Sequence, residues 1–575
     1  MPHLNTLESM ASDEYKIIYA VEIMRLNQDL LTITEESKSA TKALEIINET
    51  SKKISSLNYK DVLSLYTKGL AYAPEKSEVM AKAYANRSAI LCNERFYESS
   101  LDDVNDALEI GYPENLKAKL YVRQTKCLIA RFPNSLRGVD NCLQKAQLWS
   151  EKMNPANKKT TQAVIAKLKN NKTVPESREI WFASEYLPNG LQGNPKIMRA
   201  SSAVALKYST NFGRHLVATR DIKAGEALVL HQSYASSLYP EHFYNHCWYC
   251  TTECLNPIPC LSCVDIVYCC HKCRESAWKE YTTTSSVRSL ELWSELKYPL
   301  NKIYTNGRFD DSKYASFYSL MRIPMNGLTH VLLCESVLKS IGLTYFLAAL
   351  TDLFGEKTTS YEDVFENEDA LFIARLLYHH QMIIRTNAVK IERDNEKGEF
   401  RRHSGVIAPL FQLVNYSCDR NVYHFFADDK NAMIAIQPIK KGEQIFIGVG
   451  PQWSDIDTQR RRAILHLDYD FHCNCYACRH DWCPSFHFPA CLDQNLSKKG
   501  RETVLKVKSM VERCIRPSLW NKMTIEEKSK ANLPKRISHI IKALNILGKY
   551  CNYPNKELLD YKNELVQHYR AAECF

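Results

Sequence analysis

At 575 residues, with 45% hydrophobic and 24% charged residues, the chain is long enough for roughly three or four packed modules and has an ordinary soluble balance. The net charge of +10 is mild and diffuse; basic clusters such as residues 158–172 read as solvated helix faces, so direct nucleic-acid binding is not expected. Residues 1–27 lack a basic stretch followed by an apolar core, and no run reaches the ~18 apolar residues of a membrane helix, so neither a signal peptide nor a membrane span is expected. The 21 cysteines crowd into two windows with CxxC-type spacing, which fits zinc-bound thiolates in a reducing interior better than a disulfide set.

Residues 13–175 carry a helical pattern. Apolar residues recur at helical spacing in Val62, Leu65 and Leu70, and again in Leu101, Val104 and Leu108. Each of these segments starts near an aromatic residue and stops before a proline, Pro74 or Pro113, where a helix cannot continue. Small residues between Ala83 and Cys92 suit close helix contact. The stretch resembles tetratricopeptide repeats, helix pairs stacked into a solenoid, with a generic helical bundle as the plainer alternative. Some such repeats clamp the C-terminal carboxylate of a chaperone. Asn86, Lys119 and Arg123 match part of that clamp, since two cations on one helix face can hold a carboxylate. The first-repeat positions fall at Ile47 and Ser51, so the clamp is incomplete.

Residues 150–200 read as a connector. Beyond them short strand-like runs, Leu216–Ala218 and Ala227–Leu230, alternate with glycine turns at Gly213 and Gly225. Three cysteine pairs follow: Cys247 with Cys250, Cys260 with Cys263, and Cys269 with Cys273. Residues 285–400 look largely helical. Near the C-terminal side, Asn415-Tyr416-Ser417-Cys418 precedes the glycine-rich Gly442 to Pro451, and Cys473-x-Cys475-x-x-Cys478 closes the region. Three thiolates at that spacing want a fourth ligand for a tetrahedral zinc, and Cys418 is a plausible one. A single ion shared this way requires the chain between them to fold back on itself. Scattered core cysteines are the plain alternative.

Together these motifs resemble the SET and MYND domain-containing protein-lysine methyltransferases. The resemblance implies a multidomain α+β chain: helical tetratricopeptide-like repeats (13–175), the N-terminal part of a SET domain (200–245), a MYND-type zinc finger (247–286), a helical insert (287–400), the C-terminal SET part (401–455), a post-SET zinc segment (456–485) and a C-terminal helical domain (490–575). It implies S-adenosylmethionine as cofactor, bound around Gly213, Arg214, His215, Asn387, Asn415, Tyr416 and Phe471. It also implies two to three zinc ions. Cys418, Cys473, Cys475 and Cys478 would hold one, and Cys247, Cys250, Cys269 and Cys273 another. Cys260 and Cys263 would need the family's distal His-x-x-x-Cys, but the chain there runs Thr282-Thr283-Thr284-Ser285-Ser286, leaving Cys254, Cys270 or His271 as the only nearby recruits.

Two further positions depart from the family. Tyr416 replaces its histidine, and Val449 stands where it has the tyrosine whose hydroxyl orients the substrate amine; Tyr469, a channel position, retains a hydroxyl. The expected function is methylation of a histone or other protein lysine, with a role in transcription and development and residence in nucleus and cytoplasm. Protein partners would reach it through the repeats and the finger. The alternative is a weak or inactive scaffold.

Overall fold

A computed structural model describes residues 37–132, 136–170, 173–178, 191–233, 235–281, 389–394, 400–427, 430–448, 450–469, 471–515 and 532–573, with a few short stretches elsewhere. Among the described residues no helix is long and apolar enough to cross a membrane.

Among the described residues, seven consecutive helices run from residue 40: α1 (Ala40–Lys53), α2 (Tyr59–Tyr72), α3 (Glu78–Asn93), α4 (Tyr97–Ile110), α5 (Lys117–Arg131), α6 (Leu136–Ser150) and α7 (Pro155–Asn170). Each packs on the next in sequence. Their starts are set locally. Ser39, Asn58 and Ser77 accept the N–H groups of Lys42, Asp61 and Met80, satisfying donors that a helix N-terminus otherwise leaves open. Helix α4 ends at Gly111 in the left-handed conformation, just ahead of Pro113. Gly69 lets α1 and α2 approach closely: a Cβ there would sit 2.9 Å from Ile47 Cγ1. Helix α7 carries the helical stack to Asn170, inside the expected 13–175 helical region, so a connector can begin only beyond it.

The β-rich part begins with a hairpin, β1 (Val204–Ser209) against β2 (Gly213–Ala218). Strand β3 (Ala227–Gln232) joins a sheet of order β12-β13-β3 with β12 (Val422–Ala427) and β13 (Lys430–Ala435). A second sheet runs β4-β10-β9, from β4 (Ala235–Leu238), β10 (Phe400–Ile407) and β9 (Val389–Asp394). The expected helical segment up to residue 400 therefore ends as strand. Its Val389 and Ile391 alternate with charged residues, a period of two that pairs with β10. Most of residues 287–400 lie outside the described residues; within that span fall two short strands, β7 (Tyr304–Thr305) and β8 (Arg308–Phe309), paired antiparallel.

Strands β11 (Asn415–Tyr416) and β14 (Phe446–Ile447) pair in parallel, with the β12–β13 hairpin lying between them in the chain. The chain returns through Asn421, whose side chain accepts from Phe446 N–H at 2.8 Å and donates to Gln444 O at 2.8 Å. This crossing is the fold-back that a zinc shared by Cys418 and Cys473–Cys478 requires. Its core holds Leu216, Leu228, Phe411, Val414, Val422, Met433 and Ile445.

Helices α9 (Thr458–Tyr469) and α10 (Tyr476–Arg479) flank the last cysteines, and α11 (Lys498–Cys514), α12 (Leu533–Leu547) and α13 (Lys556–Glu573) close the chain. Their apolar faces cover the outer side of the β12-β13-β3 sheet, where Phe425 and Ile434 pack with Val504, Ile540, Leu544 and Leu565. Each such side chain contributes about 1.5–3 kcal/mol on burial. At the end of α13, Glu573 accepts from Tyr423 Oη at 2.6 Å and Phe426 N–H at 2.7 Å, fastening the last helix to β12.

The cysteine-rich finger comprises β5 (Ile258–Pro259), β6 (Val267–Tyr268) and α8 (His271–Tyr281). It docks on the helical stack. Val264 lies within the apolar core formed by Tyr66, Leu70, Tyr72 and Ala73, and Leu255 packs against Leu63, Leu91 and Phe96. Arg87 on α3, wholly buried, donates to Asp103 through Nε (2.8 Å) and Nη2 (2.7 Å), to Thr67 Oγ1 (2.8 Å) and to Pro257 O of the finger (2.9 Å).

Candidate metal centres and cofactor cleft

Two groups of four cysteine sulfurs converge, each with all sulfurs within 4.8 Å of one another: Cys418, Cys473, Cys475 and Cys478, and Cys247, Cys250, Cys269 and Cys273. A tetrahedron of ~2.3 Å Zn–S bonds has edges of roughly 3.8 Å. The recorded edges are Cys418–Cys473 at 3.8 Å, Cys418–Cys478 at 3.5 Å, Cys250–Cys269 at 3.7 Å and Cys269–Cys273 at 3.4 Å. The donor sets therefore fit a thiophilic divalent ion. In each cluster hydrogen bonds from the neighbouring thiols pull one sulfur far below the ordinary thiol range, Cys475 by Cys418, Cys473 and Cys478, and Cys247 by Cys250, Cys269 and Cys273. A metal binding in either cluster would displace the thiol protons that these hydrogen bonds share.

The first cluster has a cationic surround that motif spacing does not disclose. Arg461, wholly buried on α9, points Nη2 at Cys478 Sγ (3.7 Å) and donates to Ile456 O, Trp482 O and Thr458 Oγ1. Arg462 donates to Cys473 O and Cys478 O, both at 3.2 Å. Four thiolates around a divalent ion leave a net charge of −2, and a buried guanidinium offsets part of it. Arg460 to Arg462 look like a solvated run in the sequence. The available signal is periodicity: Thr458, Arg461 and Leu465 share the buried face of α9. On the other side, Asp419, next to Cys418, accepts from Tyr553 Oη (2.8 and 2.7 Å) and pairs with Lys562, which also donates to Gln437 Oε1 at 3.0 Å. Burial pulls the Lys562 ammonium down while Asp419 pulls it up. These residues bolt the C-terminal helices to the metal loop.

In the finger, Thr251 takes positive φ (57°) and donates its N–H to Cys247 O, the tight turn that brings Cys250 under Cys247; Cys273 sits on the first turn of α8. Cys254 donates Sγ–H to Thr252 O at 3.0 Å at the margin of this cluster, and Cys270 is exposed. Cys260 and Cys263 stand apart from both groups. Thr282–Ser286 lie outside the described residues.

The expected cofactor residues divide into those the fold assembles and those it leaves undescribed. Gly213 opens β2 with φ of +61°, and a Cβ there would meet no atom within 4 Å. The positive φ is what asks for glycine, and the space beside it is open. His215, buried, has Nδ1 2.9 Å from Gly213 O and its ring 5.7 Å from that of Phe212. Asn415 donates Nδ2–H to Phe212 O at 3.0 Å, joining this loop to β11. The Tyr416 ring lies 5.9 Å from that of Phe471, which leads into the cysteine cluster. Gly213, His215, Asn415, Tyr416 and Phe471 thus share one neighbourhood. Arg214 is exposed on β2 beside it. Tyr469 ends α9, while Asn387 and Val449 lie outside the described residues.

A helical stack, a self-crossing β-rich core and a cysteine finger inserted between its halves define a SET-domain protein, and the SET domain model matches residues 213–448. Among curated proteins the chain is similar to the protein-lysine N-methyltransferase SMYD4 of several vertebrates. It is 23% identical to that protein of Homo sapiens over 75% of this chain and 66% of the relative. It is likewise 23% identical to that of Gallus gallus, over 68% and 65%. The chain spans just under two thirds of the length of these relatives. A segment is also 28% identical to the Hsp70/Hsp90 co-chaperone CNS1 of Saccharomyces cerevisiae, over 27% of this chain and 37% of the relative.

Proposed function

We propose that the protein is an S-adenosylmethionine-dependent protein-lysine N-methyltransferase acting on a histone or other protein, with two structural zinc ions, the first of post-SET type. The observation that carries this is the convergence of Gly213, His215, Asn415, Tyr416 and Phe471 beside the Cys418 cluster. When bound, S-adenosylmethionine supplies an electrophilic methyl on a sulfonium that departs as a neutral thioether. The protein's own part is positioning. Asn415 and His215 hold the Gly213 loop in one conformation, leaving its open side for the cofactor. The Tyr416 and Phe471 rings exclude water from the neighbouring wall. Tyr469 and Val449 are the channel positions, and with valine in place of the tyrosine the substrate amine has one orienting hydroxyl fewer. Methyl transfer from labelled S-adenosylmethionine to a protein array, with cofactor binding measured by calorimetry, tests the reading; no cofactor binding by folded, zinc-loaded protein would refute it.

The second reading is a scaffold that retains fold, zinc and cofactor but turns over slowly, and Val449 is the observation that favours it. In either reading helices α1–α7 act as tetratricopeptide-type repeats that recruit protein partners, in nucleus and cytoplasm and in the service of transcription and development. Similarity to a co-chaperone supports a chaperone partner. Against a carboxylate clamp, the Arg123 guanidinium is committed to Ala85 O (2.8 Å) and Ser88 Oγ (2.7 Å), while Lys119 bonds Asn157 Oδ1 at 3.2 Å. A pull-down with a chaperone C-terminal peptide, with Lys119→Ala as the control, decides this.

A further inference from the structure

Cations inside this fold are held by partners: Arg87 by Asp103, Lys562 by Asp419, and Arg461 by backbone carbonyls. Arg420 is not. It stands half-buried in the loop between Cys418 and β12, and within the described residues it makes no ion pair and donates no side-chain hydrogen bond. Its guanidinium lies over the Tyr423 ring, 5.3 Å from the centroid. Burial, with Arg570 adding to it, pulls the guanidinium below its ordinary range against Tyr423, Asp455 and Glu573. Those two carboxylates are spent elsewhere. Glu573 gives one oxygen to Tyr423 Oη and the other to Phe426 N–H, while Asp455 accepts from Gln452 N–H at 2.8 Å and Ser454 Oγ at 3.1 Å. The Arg420 stem packs on the loop that leads to the channel position: a Cβ on Gly448, the residue before Val449, would sit 2.9 Å from Arg420 Cδ. Gln452 Nε2 donates to Gly450 O at 3.2 Å across the turn of the same loop, where Gly450 takes φ of +67°. A partly desolvated cation with no counter-charge costs stability, and such departures from the usual rules collect at binding sites.

We propose that Arg420 is a carboxylate-binding subsite for the protein substrate, taking an Asp or Glu side chain close in sequence to the target lysine. The class of ligand follows from the guanidinium, whose planar fork grips a carboxylate through two parallel N–H···O bonds. Its place follows from the loop. The Arg420 stem fills the room that glycine leaves at 448, one residue from the channel position Val449. An extended substrate advances roughly 3.3 Å per residue, so the acidic side chain and the lysine lie within a few residues of each other. The Tyr423 ring beneath the guanidinium fixes its plane, and the commitment of Glu573 and Asp455 to their own partners keeps the fork open. The substrate supplies the missing counter-charge on binding, so a lysine with an acidic neighbour is favoured over one without. The identity of the ligand rests on the methyltransferase reading; the affinity of Arg420 for a carboxylate does not.

The first test is thermal unfolding of the full-length, zinc-loaded protein as sodium acetate replaces sodium chloride at constant ionic strength. Acetate should raise the unfolding midpoint of the wild type more than that of Arg420→Met. In chloride alone Arg420→Met should unfold no lower than wild type, because the uncompensated charge is gone and the stem still packs on Gly448. An equal response to acetate in both proteins overturns the proposal. So does an Arg420→Met protein that unfolds well below wild type in both salts, which would make Arg420 a structural fastening. Arg420→Gln gives the same comparison where the methionine variant fails to fold. The second test is an array of lysine-centred peptides carrying Glu at each flanking position in turn, scored with labelled S-adenosylmethionine. The wild type should favour acid at one fixed offset by at least about tenfold, and Arg420→Met should lose that preference while still methylating the neutral peptides. Methylation without an acidic preference, or with one that Arg420→Met keeps, overturns the proposal. If no peptide is methylated while the acetate difference is present, the methyltransferase reading fails and the carboxylate site stands.

Discussion

Replacing Arg87 with methionine should break the joint between repeats and finger, and its cost follows from what the guanidinium holds. Four hydrogen bonds are lost: two to Asp103, one to Thr67 and one to Pro257 O. Methionine fills much of the volume, so the loss is chiefly polar. Asp103, 1% exposed, becomes a buried carboxylate without its counter-charge, a change that costs about 3–5 kcal/mol. Burial already pushes the Asp103 carboxyl up against the pull of Arg87, and without Arg87 that push is opposed only by the weaker pull of Arg123. A carboxyl whose folded pKa is raised gives stability that is present at low pH and lost as pH rises through that pKa. The Arg87→Met deficit should therefore be larger near pH 8 than near pH 5. Hydrogen exchange on the full chain reads this locally, as lost protection in α2, α3 and α4 and around Pro257. Adding Asp103→Leu should recover a substantial part of the stability and abolish the pH dependence. A single-variant loss below about 1 kcal/mol, or one insensitive to pH, would refute the reasoning.

The other expectations are briefer. Val449→Tyr should raise methyl transfer on the order of a hundredfold, scored with labelled cofactor on any accepted substrate; wild-type turnover that the change leaves unaltered would mean another group, such as Tyr469, orients the amine. Elemental analysis should find two zinc ions in reduced wild-type protein, and Cys475→Ser should lose one of them together with cooperative unfolding of the β-rich core. Lys562→Met should destabilise by about 3 kcal/mol by stranding Asp419 beside the Cys418 cluster, and should speed zinc release to a chromophoric chelator; release at the wild-type rate would uncouple the C-terminal helices from the metal loop. His424, stacked on Phe411 at 3.5 Å, is held far below the ordinary histidine range by burial. An imidazole kept neutral in the fold gives stability that is present above the unfolded pKa of about 6.5 and lost as pH falls below it, by up to about 1.4 kcal/mol per pH unit. In His424→Phe that part of the acid slope should vanish from urea titrations.

The sequence by itself determined whatever rests on short-range rules. Cys473, Cys475 and Cys478 lie within one reach of chain, so their spacing alone announces a metal site, and the same holds for Cys247 with Cys250 and Cys269 with Cys273. The helix boundaries at Pro74 and Pro113 were legible because proline and the left-handed glycine act on their own neighbours. The joining of Cys418 to its three partners was legible only as a possibility, and the parallel pairing of β11 with β14 is what realises it. The strand Val389–Asp394 was hidden within a stretch of helical composition because its alternation is only a few residues long and the segment becomes a strand where β10 supplies the partner. Charge was the least legible quantity. Arg87, Arg461 and Lys562 look like solvent-facing residues, since a cation is buried only where partners far along the chain meet it. For Arg87 these are Asp103 and Pro257; for Lys562, Asp419 and Gln437; Arg461, with nearer partners, needed Trp482 and Cys478 folded over it. Only the tertiary structure sets those distant atoms within hydrogen-bond distance, and only there does a charge that belongs in water become a fastening of the interior.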